Sequence, residues 1–414
     1  MNLTSGASNN SAPVTSGASA IELIEKGNAL EEQGRPEEAM ECYETAVQAD
    51  PRCARAHLNR GNILLASARI EEARDAYRLA VACDPHYAAG YFNLGNLNCR
   101  VREYEQALHN YGIAIRIKPD FADAFVAMGN VLDDLGRTAE AIESYQRALA
   151  IRPYYAEVHF NLGVIAKNKG DLTEAADRYK KAIDLGMTNP MASYMLAVWS
   201  GEDVGSMPVA SVTSFFDDYA SRFDTHLVGT LGYSMPKLMR EAIGRVTRDG
   251  RRFQHALDLG CGTGLIGAYF KDIVVEIDGV DLSPKMLEQA SRKQIYSKLD
   301  CDEIVAWLER AAAASLTFDI VLSADVFIYV GNLEPAFEAT KRILTDNGLF
   351  VFSVEHLAQG SFEVLSTGRF AHSTSYVREL ASRHGFVIEL SEQVNLRKEG
   401  SVMIGGTIFV LTRP

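Results

Sequence analysis

The feature that most constrains the fold is an internal repeat, whose five units begin at residues 20, 54, 88, 122 and 156 without a gap. Every unit has glycine at its eighth position, namely Gly27, Gly61, Gly95, Gly129 and Gly163. Every unit has tyrosine at its twenty-fourth position, namely Tyr43, Tyr77, Tyr111, Tyr145 and Tyr179. A fixed period of this length is typical of stacked architectures, because one unit cannot bury its apolar face alone.

Proline ends four of the units, as Pro51, Pro85, Pro119 and Pro153, and Met187 breaks the series. In period and signature residues the units resemble the tetratricopeptide repeat. The resemblance implies an all-α solenoid of five helix pairs over residues 20–189. A capping helix and a turn-rich linker are predicted over 190–212. The Ser-, Asn- and Gly-rich residues 1–19 are predicted to be a disordered tail.

Asparagines recur on the predicted first helix of several units. They occupy the ninth position as Asn28, Asn62, Asn96 and Asn130, and the sixth as Asn59, Asn93 and Asn161. Positions three apart share one helix face. The pattern resembles the asparagine ladder of the O-GlcNAc transferase repeats, which implies a protein or peptide partner held by amide groups. Alternatively, these side chains only solvate a groove that is empty or filled by the protein's own chain.

A glycine-rich turn at Asp258–Gly264 joins an apolar run to the start of a helix. Its glycines are Gly260, Gly262 and Gly264, so the third glycine of the dinucleotide fingerprint is missing, with leucine at position 265. Such a turn lets backbone N–H groups approach a ligand. The pattern resembles motif I of the class I S-adenosylmethionine-dependent methyltransferases, which implies S-adenosyl-L-methionine as the cofactor.

Short apolar strands alternate with helical stretches after residue 253, which predicts a doubly wound α/β domain over residues 213–414. Strands are predicted near 253–259, 276–282, 298–301, 318–324, 348–355, 386–394 and 402–412. The last two form an antiparallel pair, and the resemblance implies a Rossmann-like, mostly parallel seven-stranded sheet. Ligands of such sheets bind at the carboxyl ends of the strands.

Cofactor-binding residues are predicted at those strand ends. Asp281 lies 23 residues beyond Asp258 and can accept both ribose hydroxyls, although it could instead cap the next helix, a role that Ser283 also suits. The remaining roles are implied by the resemblance. Leu282 packs near the adenine, and Asp302 or the alternative Asp300 accepts from the adenine amino group. The predicted cofactor set is Asp258, Gly260, Gly262, Gly264, Asp281, Leu282, Asp302 and Ser323.

The acceptor side is less determined by sequence, and no catalytic residue is assigned. Tyr329, His226 and His372 are candidates, each with a structural role as the alternative. An aromatic stripe, Phe215, Tyr219 and Phe223, either covers the cofactor or packs on the sheet. In-line methyl transfer depends mainly on positioning and needs a general base only when the acceptor enters protonated.

The net charge of −13 disfavours nucleic acid as substrate or partner, since proteins that bind nucleic acid usually present a basic face. The motifs of base-amine and cytosine C5 methyltransferases, Asn-Pro-Pro-Tyr and Pro-Cys, are missing after the predicted fourth strand. The six cysteines show no C-x-x-C pairing, which favours reduced thiols, no metal site and a cytoplasmic location. No apolar run approaches the ~20 residues that span a bilayer.

From residue 20 onward the chain resembles the predicted methyltransferases of bacteria that contain tetratricopeptide repeats. The segments 216–227 and 324–331 show this similarity best. It implies an S-adenosylmethionine-dependent methyltransferase whose solenoid recruits a protein or peptide. The alternatives are a non-catalytic scaffold with a vestigial cofactor domain, and a small-molecule methyltransferase that uses the solenoid only for assembly. The acceptor and the oligomeric state are not assigned by the sequence.

Overall fold

A computed structural model describes residues 19–230, 232–247, 250–399 and 402–414, without the side chains of His226, Val228, Thr230 and Glu399. The chain divides into two compact units between Asp171 and Leu172. The predicted tail lies outside the described residues except for Ser19. No described helix is both long and apolar enough to cross a membrane.

The first unit consists of helices that alternate as the repeat predicts. Its helices are α1 (Ala20–Glu32), α2 (Pro36–Ala49), α3 (Ala54–Ala66), α4 (Ile70–Cys83), α5 (Ala88–Arg100), α6 (Tyr104–Ile117), α7 (Ala122–Asp134), α8 (Thr138–Ile151) and α9 (Ala156–Asn168). Each odd-numbered helix begins at the first residue of a sequence unit. Consecutive helices pack against each other, which confirms the solenoid fold for this unit.

The repeated glycine and tyrosine meet inside each helix pair. Tyr111 is almost fully buried, and its ring lies directly against the backbone of Gly95. A Cβ atom at Gly95 would lie 2.5 Å from Tyr111 Cε1. Gly61 faces Tyr77 and Gly129 faces Tyr145 in the same way. The glycine is therefore required by the close approach of the tyrosine ring from the second helix.

This packing predicts opposite effects for two Gly→Ala substitutions in the solenoid. Gly95→Ala should lower the free energy of unfolding by about 2 kcal/mol, because the added methyl group overlaps a rigid ring. Gly112→Ala should raise it by up to about 1 kcal/mol, since alanine favours the helix and its Cβ would meet only Met128 Cε at 3.9 Å. Calorimetry of the full chain measures both variants. Shifts of the same sign would contradict the assigned packing.

The second unit begins with two helices of the repeat region, α10 (Leu172–Asp184) and α11 (Pro190–Ser200). Trp199 of α11 stacks on Tyr179 of α10 with ring centroids 5.8 Å apart. In the same helix, Tyr194 Oη donates to the carbonyl of Gly368 at 2.7 Å, and Trp199 Nε1 donates to that of Ser366 at 3.0 Å. The division between the compact units therefore precedes the predicted linker, because α11 packs on the α/β part of the chain.

The remaining elements form the α/β part. Its helices are α12 (Val209–Tyr219), α13 (Met235–Val246), α14 (Leu265–Phe270), α15 (Pro284–Arg292), α16 (Ile304–Ala313), α17 (Glu334–Ile343) and α18 (Thr374–Arg383). Its strands are β1 (Phe253–Leu259), β2 (Val274–Asp281), β3 (Lys298–Cys301), β4 (Phe318–Ser323), β5 (Leu344–Leu357), β6 (Phe362–Val364), β7 (Phe370–Ser373), β8 (Val387–Glu399) and β9 (Val402–Thr412). Short 3-10 turns lie at Ala220–Arg222 and Phe327–Tyr329, and Thr225–Thr230 forms a π-helical turn.

The sheet has the predicted mostly parallel arrangement. Strands β3, β2, β1, β4 and β5 lie side by side in parallel, and β9 pairs with β5 and β8 in antiparallel fashion. The described residues contain nine strands instead of the predicted seven. The additional strands, β6 and β7, are short and extend the sheet beside the end of β5.

Both faces of the sheet are buried. Leu257 and Val321 lie in a core formed with α16, α17 and α18, while Ala256 and Ile320 lie in a core formed with α13 and α14. Strands buried on both faces give near-continuous apolar runs in the sequence, which explains why β1 and β4 were recognisable. The strand order reverses between β1 and β4, so a crevice is expected at their carboxyl ends.

Candidate functional site

A cavity of about 930 Å³ lies at that crevice, within the second unit. Its lining includes the glycine turn after β1, the end of β2, the segment after β4, and helix α12. Its lining combines polar side chains such as Asp281, Asp325 and Arg397 with apolar and aromatic ones. Concave sites of this size with a few convergent polar groups are typical of ligand pockets.

The glycine turn requires its glycines for two different reasons. Gly260, Gly262 and Gly264 have φ values of 70°, 53° and 87°, in the left-handed region. A Cβ atom at Gly260 would also lie 2.2 Å from Val326 Cγ2. Gly260 and Gly262 line the cavity. Gly264 does not contribute to its lining and lies against the ring of Tyr296, where it permits close packing.

Asp281 lies at the end of β2 and lines the cavity next to Leu282. Its Oδ2 accepts from the backbone N–H of Gly262 at 2.8 Å, and its Oδ1 accepts from that of Ser283 at 2.9 Å. Ser283 caps α15 itself, since its Oγ accepts from the N–H of Met286 at 3.1 Å. The capping role is thus filled, and each Asp281 oxygen retains further acceptor capacity for a ligand. Burial raises the pKa of this carboxyl.

The two acids predicted near the adenine are Asp300 in β3 and Asp302 directly after it, and both have partners within the protein. Asp302 pairs with Arg310 and accepts from the N–H of Glu303, while Asp300 pairs with Lys298 and Trp307. Neither residue lines the cavity.

The structure brings Glu303 and Ile304 to the cavity instead. The side chain of Glu303 caps α16 by accepting from the N–H of Ala306 at 2.8 Å. Its place immediately before a helical run is the signal that could have identified it.

Asp258 and Ser323 lie behind the cavity surface. Asp258 is buried and accepts from Tyr296 Oη at 2.7 Å, and Ser323 is buried at the end of β4. Of the eight predicted cofactor residues, the structure gathers Gly260, Gly262, Asp281 and Leu282 at the cavity. Asp258, Gly264, Asp302 and Ser323 do not line it.

The burial of Asp258 predicts a specific dependence of stability on pH. Burial raises the pKa of Asp258 to about 7, so between about pH 4 and 7 the folded state holds a proton that the unfolded state has released. Its contribution to stability therefore falls as pH rises through this window. The free energy of unfolding of Asp258→Asn, minus that of the wild type, should grow by about 1.4 kcal/mol per pH unit and then level off. Denaturant titrations at several pH values measure it, and a difference independent of pH would contradict the assignment.

The predicted aromatic stripe lines the cavity. Tyr219 lies between Phe215 and Phe223, with ring centroids 5.8 and 5.2 Å away. Phe216 meets Tyr329 edge to face at 5.8 Å. Of the two alternatives for the stripe, the structure therefore favours a cover over the cavity.

Polar contacts fix this aromatic segment to the glycine turn and to both ends of α15. Asp217 accepts from Ser283 Oγ at 2.5 Å. Asp224 pairs with Lys293 at 2.7 Å and accepts from Thr263 in the glycine turn. These contacts hold the aromatic side chains in place over the crevice.

The segment before α12 forms one edge of the cavity. Met207 N–H donates to the carbonyl of Tyr329 at 3.1 Å, and Gly331 N–H donates to that of Gly205 at 3.0 Å. Ser206 and Val330 form an antiparallel bridge between these bonds. The predicted linker is thus hydrogen-bonded to the segment that follows β4.

The three catalytic candidates differ in position. Tyr329 lines the cavity, and burial raises its pKa to about 12, so its hydroxyl group remains a donor at neutral pH. His372 is buried outside the cavity with Nε2 2.9 Å from the carbonyl oxygen of Gly331, and burial lowers its pKa to about 4. This placement favours a structural role for His372. The side chain of His226 lies outside the described part of the structure.

Sequence reasoning missed a charged cluster in the cavity lining. Asp325, Arg369 and Arg397 line the cavity, and both arginines contact the buried Glu355. Asp325 adopts a φ of 56°, uncommon for a residue with a side chain and frequent at functional sites. These residues lie far apart in the sequence, so no spacing pattern could have grouped them. Among the described residues, no group of three or more His, Cys, Asp or Glu could hold a metal ion.

Comparison with known families agrees with this architecture. Residues 257–352 match the sequence profile of a methyltransferase domain. Residues 24–88, 129–170 and 156–185 match tetratricopeptide repeat profiles. The fold and these matches together show that the chain contains a class I methyltransferase domain preceded by tetratricopeptide repeats.

Individual relatives are similar over parts of the chain. Malonyl-[acyl-carrier protein] O-methyltransferase from Enterobacter lignolyticus is 34% identical over 103 residues, which are 25% of this chain and 39% of the relative. Ubiquinone biosynthesis O-methyltransferase from Cereibacter sphaeroides is 30% identical over 27% of this chain and 45% of the relative. The chain thus spans less than half the length of either relative. The crystal structure of MamA is 26% identical, over 38% of this chain and 93% of that chain, with a TM-score of 0.36.

Proposed function

We propose that the protein is an S-adenosylmethionine-dependent methyltransferase whose repeats recruit a protein or peptide, as substrate or as partner. The observation that supports the cofactor most strongly is the left-handed glycine turn whose Gly262 N–H is held by the Asp281 carboxylate at the cavity. This turn presents backbone donors and an acid side by side, as a nucleoside-type ligand requires. The volume also leaves space for an acceptor.

In this proposal Asp281 binds the ribose hydroxyls, and Gly260 and Gly262 allow close approach of the backbone. Leu282 and Ile304 offer apolar contacts to the base, and Glu303 is placed to accept from its amino group. The cofactor supplies an electrophilic methyl group on a sulfonium. The aromatic side chains of α12 exclude water and hold the acceptor near that methyl group, so positioning supplies much of the rate. Tyr329 donates a hydrogen bond to the acceptor.

The proposal for the solenoid rests on how its asparagines are bonded. Tyr77 Oη and the amide nitrogen of Asn93 both donate to Asn62 Oδ1, at 2.9 and 2.8 Å. Tyr145 and Asn161 donate to Asn130 Oδ1 in the same way, at 2.7 and 2.9 Å. Within the described residues, the Asn62 and Asn130 amide nitrogens have no hydrogen-bond partner, so each can donate to a peptide carbonyl. In this proposal the asparagine oxygens accept hydrogen bonds within the solenoid, and the amide nitrogens donate to a partner.

A small-molecule acceptor remains the second candidate, supported by the enclosure of the cavity within one unit. A vestigial cofactor domain is disfavoured because the glycine turn and Asp281 are intact. The six free cysteines support the cytoplasmic location proposed from the sequence.

The deciding experiment incubates the full chain with S-adenosylmethionine tritiated on its methyl group and a fractionated cell extract. We expect label in a protein fraction, dependent on the enzyme and suppressed by S-adenosylhomocysteine. Label in small molecules alone would support the second candidate. No transfer from any fraction, despite cofactor binding, would reject the enzyme.

A further inference from the structure

The aromatic segment over the cavity contains a repeated dipeptide, Phe216-Asp217 and Phe223-Asp224. The two copies are seven residues apart, which corresponds to about two turns of a helix. The two phenylalanine rings meet edge to face with centroids 6.2 Å apart, and both line the cavity. Each of these cavity-lining phenylalanines is therefore followed directly by an acid.

The two acids fasten this segment to the turns that follow β1 and β2. Asp217 Oδ1 accepts from Ser283 Oγ at 2.5 Å, at the N-terminus of α15, where the helix dipole favours an acid. Asp224 accepts from Thr263 Oγ1 in the glycine turn, and it pairs with Lys293 Nζ at 2.7 Å, directly after α15. Hydrogen bonds to an ionised carboxylate are stronger than those between neutral groups. The segment is thus held at two points.

Asp281, which lines the cavity, joins the same two turns. Its carboxylate accepts from the N–H of Gly262 at 2.8 Å and from the N–H of Ser283 at 2.9 Å. Thr263 directly follows Gly262 in the chain. Each turn therefore binds Asp281 through a backbone N–H and the aromatic segment through a side-chain hydroxyl. An arrangement of the turns that suits one set of bonds also suits the other.

Apolar packing contributes little to holding the second half of α12. Of the α12 residues, all of which the structure describes, only Ser211 and Val212 near its start are buried. Phe215 is 56% exposed. Segments with few buried apolar contacts open locally with a small change in free energy. The bonds of Asp217 and Asp224 therefore largely determine whether the phenylalanine rings stay over the cavity.

We propose that Asp217 and Asp224 are positioning residues that couple occupancy of the cofactor site to the aromatic wall of the cavity. This inference rests on the proposed methyltransferase function and adds a link between cofactor binding and the acceptor wall. A ligand bound to Asp281 fixes the two turns, and fixed turns hold the bonds to both acids. The rings of Phe216 and Phe223 are then held most firmly when the cofactor is bound. Because such coupling is reciprocal, the two acids also retain the cofactor.

The first test measures backbone hydrogen exchange of the full chain by mass spectrometry, with and without saturating S-adenosylhomocysteine. In the wild type we expect the ligand to slow exchange over residues 213–224 at least about fivefold. Asp217→Ala and Asp224→Ala should each remove most of this slowing. Asp217→Asn should retain part of it, because its amide oxygen can still accept from Ser283 Oγ. A purely structural role would change exchange equally with and without the ligand.

The matched control is Glu288→Ala, which removes an exposed acid of α15 that pairs with Arg292. This variant should show the same ligand-dependent slowing as the wild type. Unchanged exchange over β1 and β4 in every variant shows that the sheet is intact.

The second test measures how fast S-adenosylhomocysteine leaves the full-length protein, by surface plasmon resonance. We expect the double variant Asp217→Ala, Asp224→Ala to release the ligand at least about tenfold faster than the wild type. Glu288→Ala should release it at the wild-type rate.

Two results would overturn the inference. One is exchange over residues 213–224 that does not change when S-adenosylhomocysteine binds to the wild type. The other is a double variant that releases the ligand at the wild-type rate. A wild-type protein that does not bind S-adenosylhomocysteine would instead refute the proposed function, so the two failures are distinguishable.

Discussion

Replacing Asp281 with alanine is expected to weaken S-adenosylhomocysteine binding at least about 100-fold, or ~2.7 kcal/mol. In the proposed site, the substitution removes two charge-assisted bonds from Asp281 to the ribose hydroxyls. It also removes the acceptor that holds Gly262 N–H at 2.8 Å, so the glycine turn loses an internal support. Isothermal titration calorimetry of the full chain measures the change directly.

Two further variants separate these contributions. Asp281→Asn keeps an oxygen for Gly262 but loses the charge, so we expect an intermediate loss of about tenfold. Asp272→Ala removes an exposed acid that pairs with Arg240 and should leave the affinity unchanged. Wild-type affinity in Asp281→Ala would reject the ribose role.

Converting Asn62, Asn96 and Asn130 together to aspartate is expected to abolish capture of the solenoid's partner by the full chain. Each aspartate keeps an oxygen that accepts from the tyrosine of its own repeat, as Asn96 does from Tyr111 at 2.8 Å. Each loses the amide donor proposed to hold a peptide carbonyl. Stability should therefore change little, while binding is lost. Quantitative mass spectrometry of proteins retained by immobilised wild type and variant measures the effect.

The control for the added charge is the triple variant Gln48→Glu, Gln106→Glu and Gln146→Glu, which converts three exposed amides of second helices to acids. It should retain the wild-type set of captured proteins. If the asparagine variant also retained that set, the ladder would have only its internal role.

The fold could be predicted from the sequence because its signals are local. The repeat period places the start of every first helix of the first unit, and the predicted strand 253–259 coincides with β1. The glycine turn and Asp281 could be recognised together because they follow two consecutive strands and lie close to each other in the sequence. In each case the residues that determine the structure lie within a few tens of positions of one another.

The charged cluster in the cavity lining could not be predicted because its residues meet only through the tertiary fold. Asp325, Arg369 and Arg397 come from the end of β4, a loop and a late strand. Asp302 and its alternative Asp300 were the acids considered near β3, and Glu303, one position beyond Asp302, is the acid that lines the cavity. Contacts of α11 with Ser366 and Gly368 likewise have no local signature.

The hydrogen bonds between Gly205–Met207 and Tyr329–Gly331 have a practical consequence for dissecting the protein. A fragment starting at the predicted domain boundary, residue 213, would lack Met207, Val209 and Val212 from the cavity lining. It would also lack the α11 side chains that hold the loop before Arg369. Such a fragment would bear an incomplete cavity even if its sheet folded normally. The smallest piece suited to testing the proposed activity therefore includes α11, and the last repeat helices belong to the same compact unit as the cavity.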